Sequence, residues 1–226
     1  MKRPNSISNS NAQQLHLWLP GRDKIIFALA VQSGLRISDL LSLHVKDVRI
    51  NPITVYETKS KQFRTFAINN ELFDLLKKLT QWKNDDEYVF HSERKPQKPI
   101  HRSTYHRHLK KIAEWLEIDC SAHSSRKLYA QNAFSELGEV RKVQKLMNHK
   151  SILTTAAYLD IDIANIVAAA APQSDQLLQK PGQTSAVATD IKSLKPVVKI
   201  KSTQKGGSVW KKILKKIISI FNTSSK

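Results

Sequence analysis

Residues 21 to 68 read GRDKIIFALAVQSGLRISDLLSLHVKDVRINPITVYETKSKQFRTFAI, and the spacing of their apolar residues changes partway along. Ile25, Ile26, Leu29 and Ala30 recur at i, i+1, i+4 and i+5, the stripe of a buried helix, and Gly34 is placed to end it. ISDLLSL, residues 37–43, continues as a second short helix. VKDVRI, ITVYE and RTFAI then read as three short strands, parted by Asn51-Pro52 and by the basic, polar turn Lys59 to Gln62. Together they predict a small antiparallel three-stranded sheet inside a helical domain.

Downstream the helical period returns. ELFDLLKKLTQW, STYHRHLKKIAEWL, SRKLYAQNAFSELG, EVRKVQKLMNH and ILTTAAYL predict five more helices, with Gly138 and Asn148 as stops. Trp82 and Trp115 fall on apolar stripes and are expected in the core. The fold class is therefore α+β, mainly helical with one little sheet. Residues 1–20 read as an N-terminal arm and 21–171 as the compact domain. Composition shifts after residue 171 to Pro, Gln, Ser and Thr, so 172–207 read as a flexible linker. Residues 208–226 place Trp210, Ile213, Leu214, Ile217, Ile218 and Phe221 on one helical face and four lysines on the other, a cationic amphipathic tail helix.

The whole chain of 226 residues carries 37 Lys and Arg against 19 Asp and Glu, a net charge of +18, half of it in residues 172–226. Such an excess points to a polyanionic partner, nucleic acid or an anionic membrane surface. One Cys forms no intramolecular disulfide, and no Cys/His ligand pattern is present, so disulfide scaffolds and zinc modules are excluded. Cys120 is expected as a small buried hydrophobe. His101, His106 and His108 crowd a basic segment without a carboxylate or thiol at ligand spacing, which reads as solvent or DNA-backbone contact rather than a metal site. The start has no apolar signal stretch and no segment reaches the roughly 20 apolar residues of a membrane span, so the expected location is cytoplasmic, at the nucleoid.

Four segments concentrate basic and hydroxyl residues: GLRISDLLSL (34–43), ETKSKQFRTFAI (57–68), HSSRK (123–127) and LMNHKSILTTAAYLD (146–160). In order and spacing they resemble the catalytic domain of the tyrosine recombinase (phage integrase) family, over about residues 20 to 170. In that family an Arg follows Gly-Leu before a helix, a Lys sits on a hairpin, a His-x-x-Arg opens a helix, and a second His (or Trp) precedes the nucleophilic Tyr by nine or so residues. The resemblance carries these roles onto Arg36, Lys59, His123, Arg126, His149 and Tyr158. It implies a site-specific recombinase acting on double-stranded DNA as a homo-oligomer, a tetramer on DNA, without ATP, metal or other cofactor.

The residue types suit that chemistry. Cleaving a phosphodiester gathers negative charge on the nonbridging oxygens, and the planar guanidiniums of Arg36 and Arg126 match them. A free tyrosine hydroxyl titrates near 10, so a nucleophilic Tyr158 needs a base. His123 is assigned that role and His149 that of a donor to the phosphate. The departing 5′ oxygen needs a proton, which Lys59 supplies; Lys61, expected on the same strand face, is its rival. A rival function keeps the fold as a DNA-binding or architectural regulator that does not cut.

The chain departs from the family in several places. Only about 20 residues precede the first catalytic-domain helix, where most members carry a separate DNA-clamping domain; in this it is similar to the short recombinases that invert fimbrial promoter segments. A half-clamp of this kind is expected to need an accessory DNA-bending protein. Ser125 and Lys127 flank Arg126 unusually, Met147-Asn148-His149 replaces Leu-Gly-His, and Asp39 stands where Glu is commoner. Ile163, Ile166 and Val167 are candidates for a contact in trans, and the tail for a membrane or partner contact.

Overall fold

The computed structural model describes residues 6–161. The trans-contact residues, the linker and the amphipathic tail lie outside the described residues. Within them, no helix is long and apolar enough to cross a membrane.

Helix α1, Asn9–Trp18, starts where the Ser8 hydroxyl accepts from the amide of Asn11. Its Ala12 and Leu15 are buried, so the segment read as an arm supplies a helix to the core. Helix α2, Gly21–Ser33, buries Ile25, Ile26, Phe27, Leu29 and Ala30 as the stripe predicted, and ends at Gly34 in the left-handed conformation, φ +62°. That glycine is needed twice over: a Cβ there would sit 2.3 Å from Cδ1 of Tyr129. Arg36 then caps α3, Ile37–Leu41.

The sheet has two strands, not three. VKDV, Val45–Val48, is a 3-10 turn. Its first two amides, Val45 and Lys46, bond to the carbonyls of Glu87 and Asp85, and the Asp47 carboxylate accepts from the His44 amide. Those donors are thus unavailable for a ladder. The position beside the second strand's end is taken instead by the Asn51 side chain, which both donates to and accepts from the Ile68 backbone, at 2.9 and 3.2 Å. Strands β1, Ile53–Glu57, and β2, Gln62–Phe66, pair antiparallel with Val55 opposite Arg64 and Tyr56 opposite Phe63.

Helices α4 (Asn70–Thr80), α5 (Arg102–Trp115), α6 (Ser124–Leu137), α7 (Val140–Leu146) and α8 (Ile152–Leu159) complete the described fold. Gly138 and Asn148 act as stops, both at positive φ. Two expected core residues are outside it. Trp82 lies beyond the end of α4 and is 90% exposed; Trp115, the last residue of α5, is 62% exposed and meets Trp18 edge-on at 4.7 Å. The stripe of α4 ends before Trp82, and Trp115 falls beside the face of α5 that buries Tyr105, Leu109 and Ala113. Cys120 is buried as expected, and burial pushes its thiol pKa up to about 12. His108 meets the Asp23 carboxylate at 2.8 Å, and His101 caps α5.

Among the described residues two apolar clusters result. The larger joins α1 to α5 and the sheet; the smaller joins Tyr129, Ala130 and Ala133 of α6 to Val143, Met147 and Leu159. Helix α6 contributes to both, through Leu128 and Tyr129 respectively.

Candidate active site

Arg126 links the two clusters. Only 2% exposed, it donates from Nη1 to the Gly34 carbonyl at the end of α2 and from Nη2 to the Met147 carbonyl, 2.9 Å away, at the end of α7. Helix ends expose unpaired carbonyls, and a buried guanidinium satisfies two of them here. Burial, then Arg64 and Arg36, lower its pKa to about 10, which leaves it charged at neutral pH.

The counter-charge is Glu57, which is fully buried. Its carboxylate accepts from Arg36 (3.3 Å), Arg64 (3.3 Å), the Ser60 hydroxyl (2.7 Å) and the Asn148 amide (3.2 Å), with Arg126 at 3.8 Å. Burial raises the pKa of this carboxyl, but Ser60, Arg64, Arg126 and Arg36 outweigh burial and leave it lowered. Arg64, also buried, donates on to the carbonyls of Ser33 and Gly34 and lies over the Tyr129 ring. Asp39 accepts from the Thr58 amide at 3.3 Å and approaches Arg36 at 4.0 Å; burial raises its pKa.

His149 accepts at Nε2 from Arg126, 3.2 Å away, because a guanidinium only donates. The ring proton therefore sits on Nδ1, 3.0 Å from Thr155 Oγ1. Burial first, then Arg126, Arg36 and Arg64, depress its pKa to about 3, so the ring is neutral. The expected donor to phosphate is an acceptor as it stands. Its ring lies 5.3 Å from that of Tyr158, centroid to centroid, on the part-buried face of α8. His123 occupies the N-cap of α6, where burial, then Arg126, Lys59, Arg36 and His106, lower its pKa.

Lys59 and Lys61 both fall in the turn between β1 and β2 rather than on one strand face. Lys61 takes the left-handed position, φ +56°, and donates its amide to the Glu57 carbonyl. Lys59 is the one whose charge bears on His123. Beside these groups opens a cleft of about 370 Å³ lined by Ser60, Asn148 and His149 and by the cations Arg141, Lys145 and Lys150.

The structure thus brings Arg126, His149 and Tyr158 together, joins Arg36 to Arg126 through the Glu57 carboxylate, and sets Lys59 and His123 within electrostatic reach of the same group. Sequence reading missed Glu57 and Arg64. A signal existed: Ile53, Val55 and Glu57 alternate on one face of β1, so a carboxylate falls on the apolar side. Asn148 was read only as a helix stop, although its side chain also holds Glu57.

The family model described as the phage integrase family matches residues 7–164. The probable integrase/recombinase YoeC of Bacillus subtilis is 32% identical over 143 residues, 62% of this chain and 78% of that protein. Tyrosine recombinase XerC of Rickettsia bellii is 31% identical over 155 residues, 66% of this chain and 50% of the relative, so the chain spans about half its length. Among solved structures, the XerA recombinase aligns with TM-score 0.60 at 20% identity, covering 75% of this chain and 65% of that one. A lambda integrase tetramer bound to a Holliday junction aligns with TM-score 0.57 at 16% identity, covering 72% and 49%. At these identities the two structures speak to the fold alone.

Proposed function

Because the chain belongs to the phage integrase family, the tyrosine recombinases, we propose that it cuts and rejoins DNA at specific sites through a 3′-phosphotyrosyl intermediate on Tyr158. The observation that carries this reading is the shared set of contacts: Arg36 and Arg126 reach one carboxylate, Arg126 reaches His149, and the His149 ring lies beside Tyr158.

In the proposed reaction the Arg36 and Arg126 guanidiniums take the nonbridging oxygens of the scissile phosphate. The Tyr158 hydroxyl oxygen attacks phosphorus, the bond to the 5′ oxygen breaks, and Lys59 protonates that oxygen as it leaves. His123 receives the tyrosine proton. His149 is a second acceptor for it, since its neutral Nε2 becomes free once Arg126 turns to the phosphate; donation to the phosphate would require that proton to change nitrogen. Reversal by the 5′ hydroxyl of another duplex releases Tyr158 and rejoins the strand, so no ATP is consumed. Integration, excision, inversion and resolution all use this exchange.

DNA as the partner is supported by the basic cleft beside His149 and by the +18 net charge. By analogy with the lambda integrase tetramer on a Holliday junction, four copies act on two duplexes. Accessory DNA bending, a tail contact with a partner or membrane, and action at the nucleoid belong to the same proposal.

A substrate nicked near the cleavage site lets the short 5′ product diffuse away and should trap a covalent adduct with the parent chain. Tyr158→Phe should bind the same DNA and form none, and EDTA should not alter the parent's yield. An adduct of equal yield from the Phe variant would overturn the assignment of the nucleophile.

A further inference from the structure

Immediately after Arg126 on α6, Lys127 is also buried, its side chain 4% exposed. Its ammonium lies 2.9 Å from the carboxylate of Asp160, which also accepts from Gln131 at 3.4 Å. Asp160 is the C-cap of α8 in the left-handed conformation, φ +54°, two residues past Tyr158. Helix α8 is only eight residues long, and its other end is held by the Ser151 cap.

We propose that the Lys127–Asp160 ion pair is the catch that seats the Tyr158 helix against the helix carrying Arg126, making both members positioning residues for strand cleavage. This rests on the reading of Tyr158 as nucleophile. Successive residues on a helix project about 100° apart, so one turn of α6 directs Arg126 toward the phosphate clamp and Lys127 toward the end of α8. The spacing between clamp and nucleophile is then set by one rigid element. Its cation differs from those of this protein's solvated pairs, such as Lys46–Asp86, whose side chains are 56% and 89% exposed: Lys127 is 4% exposed, while Asp160 at the helix end is 47% exposed. Sequestering an ammonium is costly, and a buried cation held by one geometry fixes where its partner sits.

Misplacing a reacting atom by about 1 Å can cost on the order of a hundredfold in rate. Two variants of the full-length chain loosen the catch without emptying the site. Asp160→Asn removes the charge and keeps a residue that tolerates the left-handed cap; Lys127→Met removes the ammonium and keeps an unbranched stem. Two reactions separate positioning of the tyrosine from general damage. The first is single-turnover adduct formation on the nicked substrate, which needs Tyr158. The second uses DNA whose 3′ end carries a p-nitrophenyl phosphate ester: an adjoining 5′ hydroxyl attacks phosphorus, the bond to the aryl oxygen breaks, and p-nitrophenolate leaves. Measured in a Tyr158→Phe background, for the parent and for both variants alike, that joining uses the phosphate clamp and not the tyrosine.

Both variants should slow adduct formation by about ten- to a hundredfold, with DNA affinity and the joining rate within about twofold of the parent. Unchanged adduct formation would overturn the proposal. So would a joining rate that falls by the same factor, because the pair would then support the clamp or the fold at large. Failure of the underlying reading looks different: Tyr158→Phe would still form adduct, whatever the result at position 160.

Discussion

The two faces of one hairpin are built in opposite ways. On the inner face, Glu57 and Arg64 are buried beside Ile53, Val55 and Phe66; on the outer face, Tyr56 and Phe63 stand 52% and 74% exposed as an edge-on pair 5.2 Å apart. The usual rule would bury the aromatics and expose the charges. The inversion follows from what the inner face must hold. Arg36, Arg64 and Arg126 converge near the ends of α2 and α7, and cations in a low-dielectric seam require a counter-charge. The outer pair packs across the strands without a core to enter. In this molecule burial of charge marks the site, while exposure of aromatics marks no site by itself.

The comparison breaks most visibly at its inner side. Glu57→Gln should lower unfolding stability by about 3 to 5 kcal/mol, since it leaves Arg64 and Arg126 buried without their shared carboxylate. A urea midpoint close to the parent's would mean that solvent, not Glu57, balances those cations. Gly34→Ala should cost about 2 to 4 kcal/mol, combining left-handed strain with a Cβ 2.3 Å from Tyr129. The loss should appear in thermal unfolding, and recovery on adding Tyr129→Ala would assign the overlap component.

Protonation sharpens the same contrast. A base must be neutral to accept a proton, so cleavage driven by His123 should decline only below pH 6.5, its pKa being lowered from that value. If the acid limb of the profile is instead unchanged in His123→Gln, the base is His149, whose pKa of about 3 keeps it neutral far into the acid range. On the outer side effects should be small. Tyr56→Ala and Phe63→Ala should each cost about 1 kcal/mol or less, and Trp82→Ala about 0.5 kcal/mol or less. A larger loss from any of them, measured by chemical unfolding, would show that the outer aromatics do more than cover the strands.

The sequence made much of this legible for a physical reason. Long apolar periods such as Ile25 to Ala30 record burial directly, and glycines at 34 and 138 record left-handed caps. VKDVRI misled because its alternation is real but its amides are claimed by the carbonyls of residues 85 and 87, far along the chain. Trp82 misled because periodicity does not show where a helix stops, and Trp115 because it sits at the edge of its helix's apolar stripe, off the buried face of Tyr105, Leu109 and Ala113. The order of Arg36, Lys59, His123, Arg126, His149 and Tyr158 was legible through family resemblance; the convergence of Arg36 and Arg126 on Glu57 was not, because a hub is defined by tertiary contacts. The proton on His149 likewise depends on a partner 23 residues away.

The most direct test of the central claim is to find the atom that holds the DNA. The adduct trapped on the nicked substrate can be digested with protease and nuclease and the linked peptide sequenced by mass spectrometry. The account predicts a single nucleotide joined through its 3′ phosphate to Tyr158, in the peptide that contains Leu159 and Asp160. Linkage through a 5′ phosphate, or to any other side chain, would contradict it.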